Sequence, residues 1–234
     1  MAHLKPVLFH TAESTPLALE GLLHLPAGGG PRPAAVVCHP HPLGGGTMHN
    51  AVVAAIARSL AERGIVALRF NFRGLGRSEG QHDYGRGERA DVAGALDWLL
   101  SQPEVDPQRL SVVGYSFGAW VGLSQAQDDP RLAAAVGVAL TAWHFDAAFA
   151  RSHALPELGA DRWTFDPAFL QSFRRPKLLV SGEFDSFAPL SAVRNFVSQL
   201  PPPKTLHIVR GADHFFGRQE VTVGRVVAEF IAGL

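Results

Sequence analysis

The chain has 234 residues, 47% of them hydrophobic, with Lys+Arg and Asp+Glu balanced at 21 each. That length suffices for one domain with a sizeable core, and the even charge without a basic block argues against nucleic acid or an anionic membrane as principal partner. The single cysteine, Cys38, excludes an internal disulfide; its place in the apolar run AAVVC predicts a buried strand residue in a reducing compartment.

The first stretch, MAHLKPVLFHTAEST, carries neither a long apolar core nor a cleavage signature, and no run approaches the ~20 apolar residues of a membrane span, which predicts a cytoplasmic location. LALEGLLHL (17–25) and AAVVCH (34–39) read as strands joined by the Gly/Pro loop PAGGGPRP. NAVVAAIARSLAERG (50–64) has apolar residues at helical spacing and a closing glycine, and IVALRFN (65–71) is again a strand. GERADVAGALDWLLS (87–101) reads as a helix, RLSVVGYS (109–116) as a strand, 117–127 as a helix and AAAVGVAL (133–140) as a strand. Residues 141–175 lose periodicity and are rich in aromatics, among them Trp143, Phe145, Phe149, Trp163 and Phe165. KLLVSG (177–182) and TLHIV (205–209) return to strand, with helices over 189–200 and 217–232. Strands alternating with helices, the strands nearly continuously apolar, predict an α/β fold: one domain over 1–234, a mostly parallel sheet with helices on both faces. The aromatic stretch 141–175 then reads as a short insertion.

Within this pattern GYSFG places Ser116 between Gly114 and Gly118, where a strand passes into a helix. A G-x-S-x-G turn at that point lets the chain bend sharply and hold the serine oxygen out, beside the positive end of a helix. The pattern alone is weak, since a packing turn would also hold a serine. A hydroxyl needs a base to become a nucleophile. His214 in RGADHFFG lies just past a strand, and Asp185 in GEFDSFAP lies just past another, with Glu183 as its nearest rival. Asp213 adjoins the histidine and reads as a loop brace, and His207 as a strand residue. Each of these groups alone has a bland reading; all three at strand ends, in the order Ser116, Asp185, His214, point to nucleophilic catalysis.

An oxyanion formed at Ser116 needs two backbone donors. One is the N–H of Phe117, directly after the serine; the other comes from the loop after an earlier strand, CHPHPLGGGTMHN. Pro40 and Pro42 have no N–H, leaving His39, His41 and Leu43, of which His41 is the first choice and Leu43 the second. His39, His41 and His49 have no accompanying carboxylate, so no metal is expected, and His39 reads as a loop brace. FNFRGLGRSEG lacks dinucleotide-loop spacing and a phosphate-loop lysine, so Arg73 reads as bracing neighbouring loops. Trp143 and Phe145, at the start of the aromatic stretch, are the candidate substrate-pocket residues; the alternative is that this stretch packs on the sheet edge as core.

HPHPLGGGTMHN, FNFRGLGRSEG, GERADVAGALDW, GYSFG, GEFDSFAP and GADHFF, in that order, give the chain a resemblance to the α/β-hydrolase superfamily over nearly its whole length. More narrowly it is similar to small bacterial serine hydrolases without a large lid. The resemblance implies a Ser116–His214–Asp185 triad, an oxyanion loop around His41, no metal or organic cofactor, and esterase-like action on small acyl substrates. Asn71 stands where many members of the superfamily carry Asp, a departure that touches loop bracing and not the chemistry. The expected partner is therefore a small-molecule ester. Thioester hydrolysis and acyl transfer would use the same triad; a non-catalytic binding protein on this fold would be favoured by loss of a triad member, and all three are present.

Overall fold

Each apolar run in the sequence becomes a strand of one sheet in the computed structural model, which describes residues 3–152 and 165–234. The predicted strands are β2 (Ala18–Leu25), β3 (Arg32–Cys38), β4 (Val66–Phe70), β5 (Val105–Tyr115), β6 (Leu132–Val138), β7 (Lys177–Gly182) and β8 (Lys204–Val209). One strand, β1 (His3–His10), has no counterpart in the sequence reading. It carries Pro6 and buries only Phe9, so neither hydrophobicity nor alternation marks it; antiparallel pairing with β2 at the sheet edge makes it a strand.

The sheet order is β1-β2-β4-β3-β5-β6-β7-β8. β2 runs antiparallel to both β1 and β4, and every other pairing is parallel. Parallel strands covered on both faces have no solvent-facing side, which is why Ala34–Cys38 of β3, Val66–Phe70 of β4 and Leu110–Tyr115 of β5 are buried without a break. Their side chains still alternate between two cores. Val36, Cys38, Leu68 and Val112 face one, while Ala35, Val37, Ala67 and Val113 face the other.

The second core is closed by α1 (Ala51–Glu62) and α7 (Glu220–Ala232), through residues such as Val53, Ile56, Val223 and Val227. The first is closed by α2 (Gly87–Leu100), α3 (Phe117–Asp128) and, later in the chain, α6 (Leu190–Gln199). Asn50 caps α1, its carboxamide oxygen accepting from Val52 N at 2.9 Å. In the stretch 141–175 the described residues form a short turn of helix at Ala142–His144, then α4 (Ala147–Ser152) and α5 (Phe169–Ser172). Trp163 and the rest of 153–164 lie outside the described residues. Among the described residues, no helix is long and apolar enough to cross a membrane.

Loops near the centre of the sheet are tied by buried polar side chains. Arg73 Nε and Nη2 reach Asp91 Oδ1 at 2.9 and 2.7 Å, and Nη2 also reaches Glu13 at 2.9 Å, so this arginine braces the loop after β4. Asn71 accepts from Met48 N and donates to Glu20, both at 2.8 Å. His39 accepts from Phe72 N at 3.1 Å through Nε2, so its neutral ring carries the proton on Nδ1, which donates to Pro40 O at 2.7 Å. The Cys38 thiol is wholly buried, and burial pushes its pKa far up.

Candidate active site

Ser116 sits where β5 ends and α3 begins, with φ 55° and ψ −116°, a strained conformation for a residue with a side chain. Close packing on both sides holds it there. A Cβ on Gly114 would overlap the Gly118 carbonyl oxygen, and one on Gly118 would overlap the His39 and Cys38 carbonyl oxygens. Both flanking positions therefore admit only glycine. The Ser116 N–H donates to Val138 O at 2.8 Å and its carbonyl accepts from Ala119 N at 3.0 Å, which fixes the turn from both ends.

The loops after β7 and β8 bring two further side chains to this serine. His214 Nε2 lies 3.0 Å from Ser116 Oγ, and Nδ1 lies 3.0 and 2.9 Å from the two oxygens of Asp185. Asp185 Oδ1 also accepts from Phe187 N at 2.8 Å and Ala188 N at 3.1 Å, which locks the carboxylate in one orientation. All three residues are buried, at 8%, 3% and 6% exposure for Ser116, Asp185 and His214. A carboxylate on one ring nitrogen holds the proton there and leaves the other nitrogen able to accept from the serine hydroxyl. The alternatives fall elsewhere: Glu183 accepts from Gly211 N at 2.8 Å, and Asp213 accepts from Phe215 N and Phe216 N.

Sequence reasoning did not single out Tyr115. Its hydroxyl donates to the His214 carbonyl oxygen at 2.9 Å, tying the histidine loop to the end of β5. Burial, with Asp185 nearby, pushes this phenol's pKa well above its ordinary value. The neighbouring Gly182 lets the same loop pass close, since a Cβ there would overlap the Asp213 carbonyl oxygen. No local signal in the sequence announces either contact.

On the opposite side of Ser116, Phe117 occupies the first position of α3 and His41 precedes a short turn at Pro42–Gly44. The His41 carbonyl accepts from Gly44 N and Gly46 N at 3.1 and 2.9 Å, folding the loop tightly beside the serine. Leu43 does not fit the donor role given it as second choice. Its N–H donates to His41 Nδ1 at 3.1 Å, and its side chain is 53% exposed. Burial first, then the neighbouring His82, lowers the His41 pKa to about 4, so its ring is neutral at pH 7.

A cavity of about 270 Å³ opens over Ser116 and His214, walled by His41, Gly44–Gly46, Tyr115, Trp143, Phe187 and Phe215. Phe187 lies on the His214 ring, the centroids 4.6 Å apart. Trp143 is in this wall. Phe145 is not: its ring stacks on Phe196 at 4.4 Å and packs beside Trp120 in the core, so the pocket assignment is corrected for this residue. Both aromatics pack against the first core, and of the two only Trp143 also reaches the cavity. A larger hollow of about 700 Å³, beside Tyr84, Arg86, Ser124 and Phe169, does not include Ser116.

Residues 18–184 match the X-Pro dipeptidyl-peptidase (S15) family. An uncharacterized protein of Rickettsia prowazekii is 31% identical over 207 residues, covering 85% of this chain and 78% of its own. Among solved structures, an α/β serine hydrolase homologue from Coxiella burnetii superposes with a TM-score of 0.76 at 31% identity, covering 96% of each chain. A lidless α/β serine hydrolase from Xanthomonas campestris gives 0.75 at 28% identity, covering 97% of this chain and 94% of that one.

Proposed function

The chain belongs to the S15 family of the α/β-hydrolase superfamily and is a serine hydrolase of that type; from this premise we propose that it cleaves small, uncharged carboxylic esters through an acyl-enzyme on Ser116. One observation carries the reading. The His214 imidazole bridges Ser116 Oγ and a carboxylate held by two backbone N–H groups, at the floor of an aromatic cavity.

His214 Nε2 takes the Ser116 proton as Oγ attacks the ester carbonyl. The N–H groups of Phe117 and His41 receive the charge that builds on the carbonyl oxygen. His214 then protonates the departing alcohol. Water, deprotonated in turn by His214, attacks the acyl-enzyme and releases the acid. Asp185 keeps the proton on Nδ1 throughout.

The family description also raises dipeptide release from a peptide N-terminus. That reaction must accommodate an α-ammonium group inside the site, and among the described residues no Asp or Glu lines the cavity. An uncharged acyl group is the better match to Trp143, Phe187 and Phe215. Thioester hydrolysis and acyl transfer share every step up to the acyl-enzyme and differ only in the leaving group or final acceptor.

The test is hydrolysis of p-nitrophenyl esters of increasing acyl length by the parent and by Ser116→Ala. A cavity of about 270 Å³ predicts fastest turnover for short acyl groups, with the variant lower by at least ~10³-fold. A Ser116→Ala protein that keeps the parent rate would refute the mechanism.

A further inference from the structure

Behind the two residues assigned as oxyanion donors lies a pair of titratable groups that the mechanism does not use. Glu88, in the first turn of α2, has 0% exposure. A carboxylate so deeply buried is costly unless it is fully engaged. Its oxygens accept from Asp83 N at 2.9 Å and Gly85 N at 2.8 Å, and Oε1 lies 2.7 Å from His82 Nδ1. Burial works to raise the pKa of this carboxyl, but the His82 and backbone contacts prevail and hold it below its ordinary value.

What this arrangement fixes is the ring of His82. The ring meets His41 edge-on at 5.0 Å and Phe117 edge-on at 5.5 Å, and the His41 and Phe117 rings lie 4.8 Å from one another. The three rings form a closed triangle, with Phe72 and Phe165 packed on the far side of Phe117 at 5.9 and 6.2 Å. His41 and Phe117 come from loops after β3 and after β5 whose roots are fixed by the pairing of Cys38 with Gly114 and by the close pass of Gly118 against the His39 carbonyl. Beyond those roots the spacing of the two rings is set by side-chain packing. The third ring, anchored through Glu88 to α2, supplies that spacing.

We propose that His82, oriented by Glu88, is a positioning residue that sets the distance between the two oxyanion donors, His41 and Phe117. The proposal rests on the serine-hydrolase reading above. Its consequence is specific. Substrate enters through the cavity over Ser116, on whose wall His82 does not lie, so ground-state binding should hardly notice a change at His82. The transition state depends on both donors meeting one oxygen, so turnover should suffer.

The experiment compares the parent, Ser116→Ala, His82→Asn, His82→Leu and His82→Phe on one short-chain p-nitrophenyl ester, with a boronic acid as a probe of the tetrahedral state. His82→Asn keeps a polar group beside Glu88 but has no ring to place against His41 and Phe117. We expect its kcat to fall about 10-fold, less than the ~10²–10³ seen when a donor is deleted outright, with KM within about twofold. Boronic acid inhibition should weaken in the same proportion. His82→Leu fills volume without a ring and should behave likewise, which keeps the test open should the Asn variant fail to fold. His82→Phe restores a ring and should recover kcat to within about threefold of the parent. Parent-like kcat in both ringless variants, or kcat and KM worsening together with a lowered melting temperature, would overturn the proposal while leaving the mechanism intact. A parent without Ser116-dependent turnover would overturn the hydrolase reading and this proposal with it.

Discussion

Replacing Asp185 by Asn changes one atom, and the structure determines what that atom does. Oδ1 of Asp185 accepts from Phe187 N at 2.8 Å and Ala188 N at 3.1 Å, while Oδ2 has its closest contact with His214 Nδ1, at 2.9 Å. In Asp185→Asn the amide oxygen must stay with the two backbone donors. The opposite orientation would aim an NH2 group at two N–H groups, each left unsatisfied at a cost of about 1–3 kcal/mol. The NH2 group therefore takes the Oδ2 position facing His214 Nδ1. An Nδ1 proton is left only the amide oxygen at 3.0 Å, already shared by two backbone donors, so Nδ1 is driven to accept from the NH2 group. The ring proton moves to Nε2, which then donates towards Ser116 and can no longer take its proton. The expected loss in kcat is about 10⁴-fold, or about 5.4 kcal/mol in the barrier, with KM nearly unchanged. The melting temperature should stay close to the parent's, because both backbone bonds survive. Asp185→Ala serves as the contrast: it leaves Phe187 N and Ala188 N without their acceptor and should destabilise the fold as well. Steady-state kinetics with a short-chain p-nitrophenyl ester, beside thermal melts, read out both quantities. A kcat for Asp185→Asn within about 10-fold of the parent would refute the tautomer argument.

Three further expectations follow from particular contacts. Gly118→Ala pushes a methyl group into the His39 and Cys38 carbonyls, and should cost about 1–3 kcal/mol and most of the activity, seen as a lower urea midpoint with residual turnover. Phe145→Ala, emptying a core site against Phe196 and Trp120, should lower stability without altering acyl-chain preference, whereas Trp143→Ala should broaden that preference towards longer chains; the reverse pattern would undo the pocket assignment. Burial lowers the pKa of His39 to about 4 and of His144 to about 3, from an ordinary 6.5. Between those values the unfolded chain binds more protons than the folded one, so stability is full above pH 6.5 and declines as pH falls towards 4. His39 alone, wholly buried, contributes about 3 kcal/mol to that decline, and a urea midpoint that stays level from pH 7.5 to 4.5 would contradict it.

Read from the sequence alone, the chain already disclosed seven of its strands, the five long helices and the order in which they alternate, because these depend on local apolar spacing and on glycine and proline punctuation. It also brought out Ser116, Asp185 and His214, since residues just past strand ends converge at one edge of any parallel sheet. Residues whose role depends on a distant partner were not legible. Tyr115 and His214 are 99 positions apart, and only the neighbouring places of β5, β7 and β8 in the sheet bring them together. Strand β1 exists because β2 offers it a partner, and Leu43 is ruled out by a bond that its own loop makes only when folded around His41. Phe145 and Trp143 look alike in sequence and both pack against the first core, and only the folded loops decide that Trp143 also reaches the cavity. Local physics decides what each segment becomes; the sheet order and the packing of loops over its edge decide which side chains meet.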